Sequence, residues 1–395
     1  MNKKLVLLGS LYLAQGLPYG FFTQALPVLL RERGLALPLI GLAQLLMLPW
    51  ALKFLWAPLV DAVDAPKRGR RRAVIIPLQL ACIAVLGTLA LAATPDAMWA
   101  LCVGVLLVNV CAATQDIATD ALAVETLGPE ERGLGNGLQV GAYRVGMVIG
   151  GGAILWVFGR AGWTIAFLAM AALLALASIP IVAYREPASA PVTRTKRALL
   201  RGSFARPGFA AWVVVLVTYK TGEWFATAML RTFLTDAHQS LGQIGVMVGM
   251  FGFSAGLTGA LVGGIAVSRL GRRRSLIAFG VLQTLAIASM SLAVISPSTE
   301  MFYAITVAEH FTSGMATAAL FTAMMDFSRP ASAGTDYTVQ ASIVVIATGT
   351  ATLLSGVSAH ALGYATHFLL AAGLSALGTI VALAYRPRDP AFALI

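Results

Sequence analysis

Charge is scarce in this chain. Asp, Glu, Lys and Arg make up 11% of its 395 residues, where a soluble domain carries about 25%. No long polar segment is present that could fold as a separate soluble domain. Histidine and cysteine are scarcer still, with four and three residues. The four His show no metal-ligand spacing, and Cys82, Cys102 and Cys111 all fall inside apolar runs. Neither a metal site nor a disulfide framework is expected, and the cysteines read as small packing residues. No G-x-x-x-x-G-K-[ST] phosphate loop occurs, so ATP is not expected as an energy source. No nucleophile–base pair stands out, which argues against a membrane-embedded enzyme. No cofactor is expected.

Apolar residues are abundant. AVILMFWYC make up 58% of the chain, and the mean hydropathy is +0.82. Runs of about 20 apolar residues, each long enough to cross a bilayer as a helix, recur from end to end. The expected fold is an all-α polytopic membrane protein with twelve spans at 5–30, 37–60, 73–93, 98–122, 134–158, 163–184, 208–233, 241–267, 275–296, 301–327, 338–359 and 362–384. The first run follows Lys3-Lys4, contains Gln15 and has no cleavage site at the right distance. It reads as an uncleaved helix rather than a signal peptide.

The net charge of +11 does not imply nucleic acid, because of where the bases lie. Lys67, Arg68, Arg70, Arg71 and Arg72 follow span 2. Arg185, Arg194, Lys196, Arg197, Arg201 and Arg206 follow span 6, and Arg269, Arg272, Arg273 and Arg274 follow span 8. Odd-numbered spans are followed by little that is basic apart from Arg31 and Arg33. This is the positive-inside pattern, and it places both termini in the cytoplasm.

The chain also repeats itself. "WAPLVDAVDAPKRGRRRA" follows span 2 and "GGIAVSRLGRRRS" follows span 8; "LPLIGLAQLL" opens span 2 and "LGQIGVMVGM" opens span 8. The halves are expected at 1–184 and 208–395, joined by a basic linker at 185–207 with a short surface helix at Thr195–Leu200. Two six-helix halves with a G-x-x-x-D-x-x-G-R-R-type turn in each resemble the major facilitator superfamily. The second copy is Gly264-x-x-x-Ser268-Arg269-x-Gly271-Arg272-Arg273, with Ser268 where that family has Asp. The first keeps Asp61 but has Ala57 for the first Gly. The resemblance implies parallel halves around a central cavity lined by spans 1, 4, 7 and 10.

"KFLWAPLVD", "TQDIATDALAVETLGPEERG" and "GAYRVGMVIGGG" closely resemble the muropeptide permease and acetyl-CoA transporter group. The opening "LYLAQGLPYGFFTQALPVLLRERG" is more similar to a short siderophore-permease branch, and the chain length favours that branch. The implied activity is proton-coupled import of a siderophore or its iron complex across the bacterial inner membrane by alternating access. The alternative is a muropeptide permease or another carrier of amphipathic solutes. A drug exporter is disfavoured because span 5 has "GMVIGGG" and no Gly-Pro pair. From a different class, a non-transporting membrane sensor would need a soluble signalling segment, and none lies within these residues. The expected partners are a small-molecule solute, protons and the lipid bilayer; a monomer is favoured.

Ionisable residues within spans cost at least about 2.5 kcal/mol each, so each is a functional candidate. "CAATQDIATDALAVE" places Asp116 and Asp120 four residues apart on span 4. With Lys53 about 12 Å and Arg144 about 15 Å from the cytoplasmic end, Asp116 has two candidate cations. Asp120 lies near the basic turn, which is its expected cation partner. Lys53, Asp61, Asp116, Asp120, Arg144, Arg70, Arg71, Arg269 and Arg272 form a candidate gate or a structural charge network.

The candidate substrate and proton pathway is Gln15, Tyr19, Gln24, Tyr143, Lys220, Glu223, Trp224, Glu309 and His310. Lys220 and Glu223 lie three apart on span 7 and, at an offset of 204, align with Gly16 and Tyr19 beside the Pro18 break of span 1. Glu223 is the expected coupling carboxylate. Glu309–His310 is its competitor as a proton relay, or a static pair.

Overall fold

The computed structural model describes residues 3–32, 43–63, 65, 69–92, 98–187 and 201–385. Regular structure among the described residues is helical throughout. Helix α1 (Lys3–Gly20) passes through a π-turn at Phe21–Ala25 into α2 (Leu26–Glu32). The following span is made of short pieces: a 3₁₀ turn at Gln44–Met47, α3 (Leu48–Leu52), a 3₁₀ turn at Lys53–Leu55 and α4 (Ala57–Asp61). Helices α5 (Arg72–Ala92), α6 (Met98–Thr126) and α7 (Arg132–Val148) follow, then a π-turn at Ile149–Ala153 and α8 (Ile154–Ala183). Beyond the basic stretch come α9 (Phe209–Thr218), α10 (Thr221–Asp236), α11 (Leu241–Ile244), a π-helical segment at Gly245–Gly252 and α12 (Phe253–Leu270). The chain continues with α13 (Arg272–Ile295), α14 (Thr299–Phe327), a 3₁₀ turn at Pro330–Ser332 and α15 (Ala333–Ala384).

The breaks have local causes. Pro49 and Pro58 stand in the first turns of α3 and α4. A proline lacks the N–H that would continue a preceding helix, so each opens a new one. Between α9 and α10, Thr218 and Thr221 return their hydroxyls to the carbonyls of Val214 and Val217, a bonding that bends helices. Gly222 then passes so close to the 371–375 backbone that a Cβ would lie 2.4 Å from the Ser375 nitrogen. The helix restarts at Lys220, whose φ of −104° and ψ of −6° make it the N-cap of α10.

Among the described residues, seven helices are long and apolar enough to cross a membrane. Two of them, Arg132–Ala183 and Pro330–Ala384, each contain two of the spans expected from sequence, divided at Gly162 and Gly363. Both glycines have positive φ, 78° and 74°, a turn that a side chain would oppose. The expected spans absent from the seven are 2, 7 and 10. Span 2 is cut by prolines and 3₁₀ turns, span 7 is interrupted at Lys220, and span 10 carries Glu309-His310.

The chain forms two compact units. The first contains Met1–Thr126, Ala142–Arg201 and Ser328–Thr338; the second contains Leu127–Gly141, Gly202–Phe327 and Val339–Ile395. Neither unit is continuous in sequence, and both α7 and α15 begin in one unit and end in the other. In the first unit Phe167 meets Phe21 edge-on and packs at a tilt against Trp163, in an apolar core between α1, α5 and α8. In the second, Phe233 meets Phe302 and Phe368 edge-on. The surface helix expected at Thr195–Leu200 lies outside the described residues, as do Lys67, Arg68, Arg194, Lys196 and Arg197.

Candidate functional site

Helix α6 answers for its two carboxylates by bonding each to a different neighbour. Asp116 pairs with Lys53, which the 3₁₀ turn after α3 carries; both are buried. Asp120, one turn further along α6, accepts a hydrogen bond from the Tyr12 hydroxyl of α1 at 2.9 Å. Two turns before Asp116, Asn109 accepts from the Trp50 indole N–H at 3.1 Å. Thr114 accepts from the Trp56 indole at 3.0 Å.

An aromatic group adjoins this ladder. Tyr19 meets Trp50 edge-on with ring centroids 5.5 Å apart, and its ring lies 5.4 Å from that of Tyr143. The Lys53 ammonium is 5.5 Å from the centre of the Trp50 ring, within cation–π range. Gln15, one turn before Tyr19 on α1, is buried with neither end of its amide bonded to the protein, and Asn109 Nδ2 is likewise unpartnered. Buried amides normally find partners. Fixed aromatic faces, a clamped ammonium and unspent amide groups are the elements of a polar-ligand site.

The basic turn between α4 and α5 has its own carboxylates. Arg71 Nη2 lies 2.8 Å from Asp61 Oδ1 and 2.6 Å from Glu125 Oε1, and Arg70 Nη2 is 2.7 Å from the same Glu125 oxygen. The side chains of Arg71 and Asp61 are fully buried. Burial opposes the charge on Arg71, but Asp61 and Glu125 outweigh it and raise the guanidinium pKa. Glu186, just past α8, accepts the backbone N–H groups of Arg71 and Arg72 at 3.0 and 2.9 Å and so caps α5. Asp61 also accepts from the first turn of α15: the Thr335 N–H and hydroxyl at 2.6 Å each, and the Gly334 N–H at 3.3 Å. The positive end of that helix favours an anion there. The second unit has a simpler counterpart. Asp326 at the end of α14 receives Arg132 and Arg272, each at 2.6 Å.

The second unit also holds a polar seam between α10 and α14. Lys220 pairs with Glu223, donates to Thr317 Oγ1 at 2.9 Å and reaches the Ser313 carbonyl at 3.3 Å. Ser313 Oγ donates to Glu223 Oε1 at 2.7 Å. Thr227 Oγ1 donates to Glu309 Oε1 at 2.9 Å, and His310 Nδ1 stands 2.7 Å from Glu309 Oε2.

The sequence relationships fit this arrangement. Residues 4–155 match the family profile described as Acetyl-coenzyme A transporter 1, and residues 212–393 match that of the Major Facilitator Superfamily. The Anhydromuropeptide permease of Escherichia coli (strain K12) is 32% identical over 388 residues, covering 94% of this chain and 78% of the relative. The chain belongs to the anhydromuropeptide permease family. It is also 25% identical over 377 residues, 90% of each chain, to the putative transporter AmpG 4 of Rickettsia conorii. Among solved structures, it superposes on the major facilitator transporter FucP in the outward conformation with a TM-score of 0.77 at 15% identity, covering 97% of this chain and 99% of that one. A bacterial homologue of the iron transporter ferroportin gives 0.71 at 16%, covering 97% and 98%. At those identities the likeness shows the fold alone, the all-α polytopic fold of the major facilitator superfamily. Members of this superfamily are secondary transporters that carry small solutes by alternating access, and this one is not an enzyme.

Within this permease, the residues singled out from sequence divide between the two units. The first brings together Tyr19, Lys53, Asp116 and Tyr143, with Gln15 one turn away. The second brings together Lys220, Glu223, Glu309 and His310. Gln24 and Arg269 are exposed, Trp224 is 47% exposed and Arg144 is half-buried. The expectation that the basic turn serves Asp120 is corrected: Arg70 and Arg71 are engaged by Glu125 and Asp61, because those acids end the neighbouring helices at the level of the turn. Nor does residue 268 supply the acid of the second turn. Ser268 bonds the Glu130 carbonyl, and Arg272 is served by Asp326. Sequence reasoning missed Trp50, Asn109, Glu125, Glu186, Ser313 and Thr335. Glu125 stood inside the quoted acidic stretch; the others carry no signal of their own.

Proposed function

We propose that this chain is a proton-coupled permease of the bacterial inner membrane that imports cell-wall muropeptides by alternating access. The observation that carries this reading is the 32% identity to an Anhydromuropeptide permease, sustained over 94% of the chain. It favours the muropeptide alternative of the sequence reading over the siderophore one. A muropeptide joins sugar rings to a short peptide, so its carrier needs apolar faces for the rings and fixed hydrogen-bonding groups for hydroxyls and amides. Tyr19, Trp50, Tyr143, Gln15 and Asn109 supply both kinds of group in the first unit.

The architecture we propose has twelve spans in two halves, 1–184 and 208–395, joined by the cytoplasmic linker 185–207, with both termini in the cytoplasm. The divided helices Arg132–Ala183 and Pro330–Ala384, and the interruptions of spans 2, 7 and 10, support that count. Asp61, Arg71 and Glu125 with the start of α15, and Asp326 with Arg132 and Arg272, are the cytoplasmic charge groups that would separate when the carrier opens inward. Lys53–Asp116 braces the amino-terminal half.

The test is complementation. An Escherichia coli strain deleted for its own permease is supplied with this chain, and cytoplasmic anhydromuropeptides are measured by mass spectrometry. They should return to the level given by the native permease. A membrane-inserted chain that restores none, while driving uptake of a ferric siderophore, would reverse the substrate assignment.

A further inference from the structure

The seam between α10 and α14 is built as a reciprocal pair. On α10, Glu223 and Thr227 lie one turn apart; on α14, Glu309 and Ser313 do. The acid of each helix accepts from the hydroxyl of the other: Ser313 to Glu223 at 2.7 Å and Thr227 to Glu309 at 2.9 Å. The two carboxylates are thereby fixed in one connected group, yet their counter-charges differ. Lys220 pairs with Glu223 and also donates to Thr317 and the Ser313 carbonyl. Glu309, 1% exposed, has His310 as its adjacent base. With the imidazole neutral, Lys220, Glu223 and Glu309 sum to one negative charge; a single proton on the ring makes the seam neutral.

The geometry also selects the atom. His310 Nδ1 is 3.0 Å from the Thr306 carbonyl, which can only accept, so Nδ1 carries a hydrogen. Glu309 Oε2, also an acceptor when the acid is ionised, lies 2.7 Å from the same nitrogen. The proton that comes and goes therefore belongs to Nε2. That atom faces Gly252 of the π-helical segment, where a Cβ would lie 3.1 Å from it. Of the four ionisable side chains in the seam, His310 is the most exposed, at 15%.

The elements packed around His310 hold few ionisable residues. The 241–268 stretch has none, and α13 has only Arg272–Arg274 at its first turn. On α15, His367 is bonded to Ser358 and to the Phe225 carbonyl. Thr227, Lys220 and Glu223 are the groups that α10 presents.

We propose that His310 Nε2 is the binding site of the coupled proton, with Glu309 as its counter-ion and Lys220–Glu223 as a static pair. This rests on the permease reading above and moves the coupling role from Glu223 to the histidine. In the transport step the only bond that forms and breaks is the Nε2–H bond. The proton binds Nε2 from one side of the membrane and leaves from the other.

The test uses the full chain in proteoliposomes with radiolabelled anhydromuropeptide, measuring accumulation driven by a pH gradient and exchange without one. His310→Gln and Glu309→Gln should lose accumulation by about tenfold or more while exchange stays within about twofold. Glu223→Gln should lose both, since it strands Lys220. If either seam variant fails to insert, Gly252→Ala, which crowds Nε2, should lower accumulation and spare exchange. Wild-type accumulation in His310→Gln, or in an inserted Gly252→Ala when His310→Gln is absent, overturns the proposal. If the wild type does not exchange the muropeptide, the substrate reading fails, and the seam is judged without substrate by ¹⁵N spectra of histidine-labelled protein in nanodiscs. The His310 signal should be the Nδ1–H tautomer that gains an Nε2 proton between about pH 9 and about pH 5. An Nε2–H tautomer, or a signal unchanged over that range, overturns it.

Discussion

Thr335 donates both its backbone N–H and its hydroxyl to one carboxylate oxygen of Asp61, each at 2.6 Å. The other Asp61 oxygen faces the Arg71 guanidinium at 2.8 Å, and neither side chain of that ion pair reaches solvent. A buried carboxylate persists only when donors replace its water, and here a cation, a hydroxyl and the first turn of a helix do so.

Asp61→Ala should therefore be costly. It removes the shared acceptor and leaves Arg71 with Glu125 alone, a loss of about 3–5 kcal/mol. Thr335→Val removes only the hydroxyl donor and should cost about 1.5–3 kcal/mol. Thermal unfolding of the purified protein measures both, and the double variant should fall short of their sum because the groups share one bond network. A melting temperature unchanged by Asp61→Ala would contradict this account.

Lys53 and Asp116 offer a test of brace against binding role. Lys53→Met strands a buried carboxylate and should destabilise by about 3–5 kcal/mol, whereas replacing both partners with apolar residues often restores stability. Lys53→Met with Asp116→Leu should then recover the melting temperature. Recovered transport alongside it marks a brace; stability regained without transport would assign the pair to the ligand.

Trp50→Phe keeps an aromatic face and deletes the indole N–H that Asn109 accepts at 3.1 Å. The unpaired buried amide should cost about 1–3 kcal/mol in stability. If the aromatic group holds the solute, KM for muropeptide uptake should rise with kcat little changed. A fall in kcat alone would remove Trp50 from the binding surface.

Gly222→Ala places a Cβ 2.4 Å from the Ser375 nitrogen, a contact with backbone that cannot rotate away. Overpacking of this kind typically costs about 1–3 kcal/mol. The change should also misplace Lys220 and Glu223 on either side of it, so exchange activity should fall with stability. Unimpaired exchange would mean that the break between α9 and α10 tolerates displacement.

By itself the sequence determined that the chain is a helical membrane protein, since apolar runs of bilayer length with so few charges admit no water-facing globule. It also determined which residues deserved suspicion, because an ionisable side chain within a span is expensive wherever it lies. Lys53 with Asp116, and Lys220 with Glu223, were legible because one unmatched charge demands another nearby. Partner choice was not. Asp120 turned to Tyr12, the basic turn took Asp61 and Glu125, and Asp326 replaced the acid absent at Ser268. Only the tertiary structure decided these pairings. A hydrogen bond depends on which helix faces lie within about 3 Å of one another, and helical spacing fixes the face of a residue but not the neighbour it meets. The reciprocal bonds of Glu223 with Ser313 and Glu309 with Thr227 join residues 90 and 82 positions apart, and serine and threonine carry no charge to announce the contact.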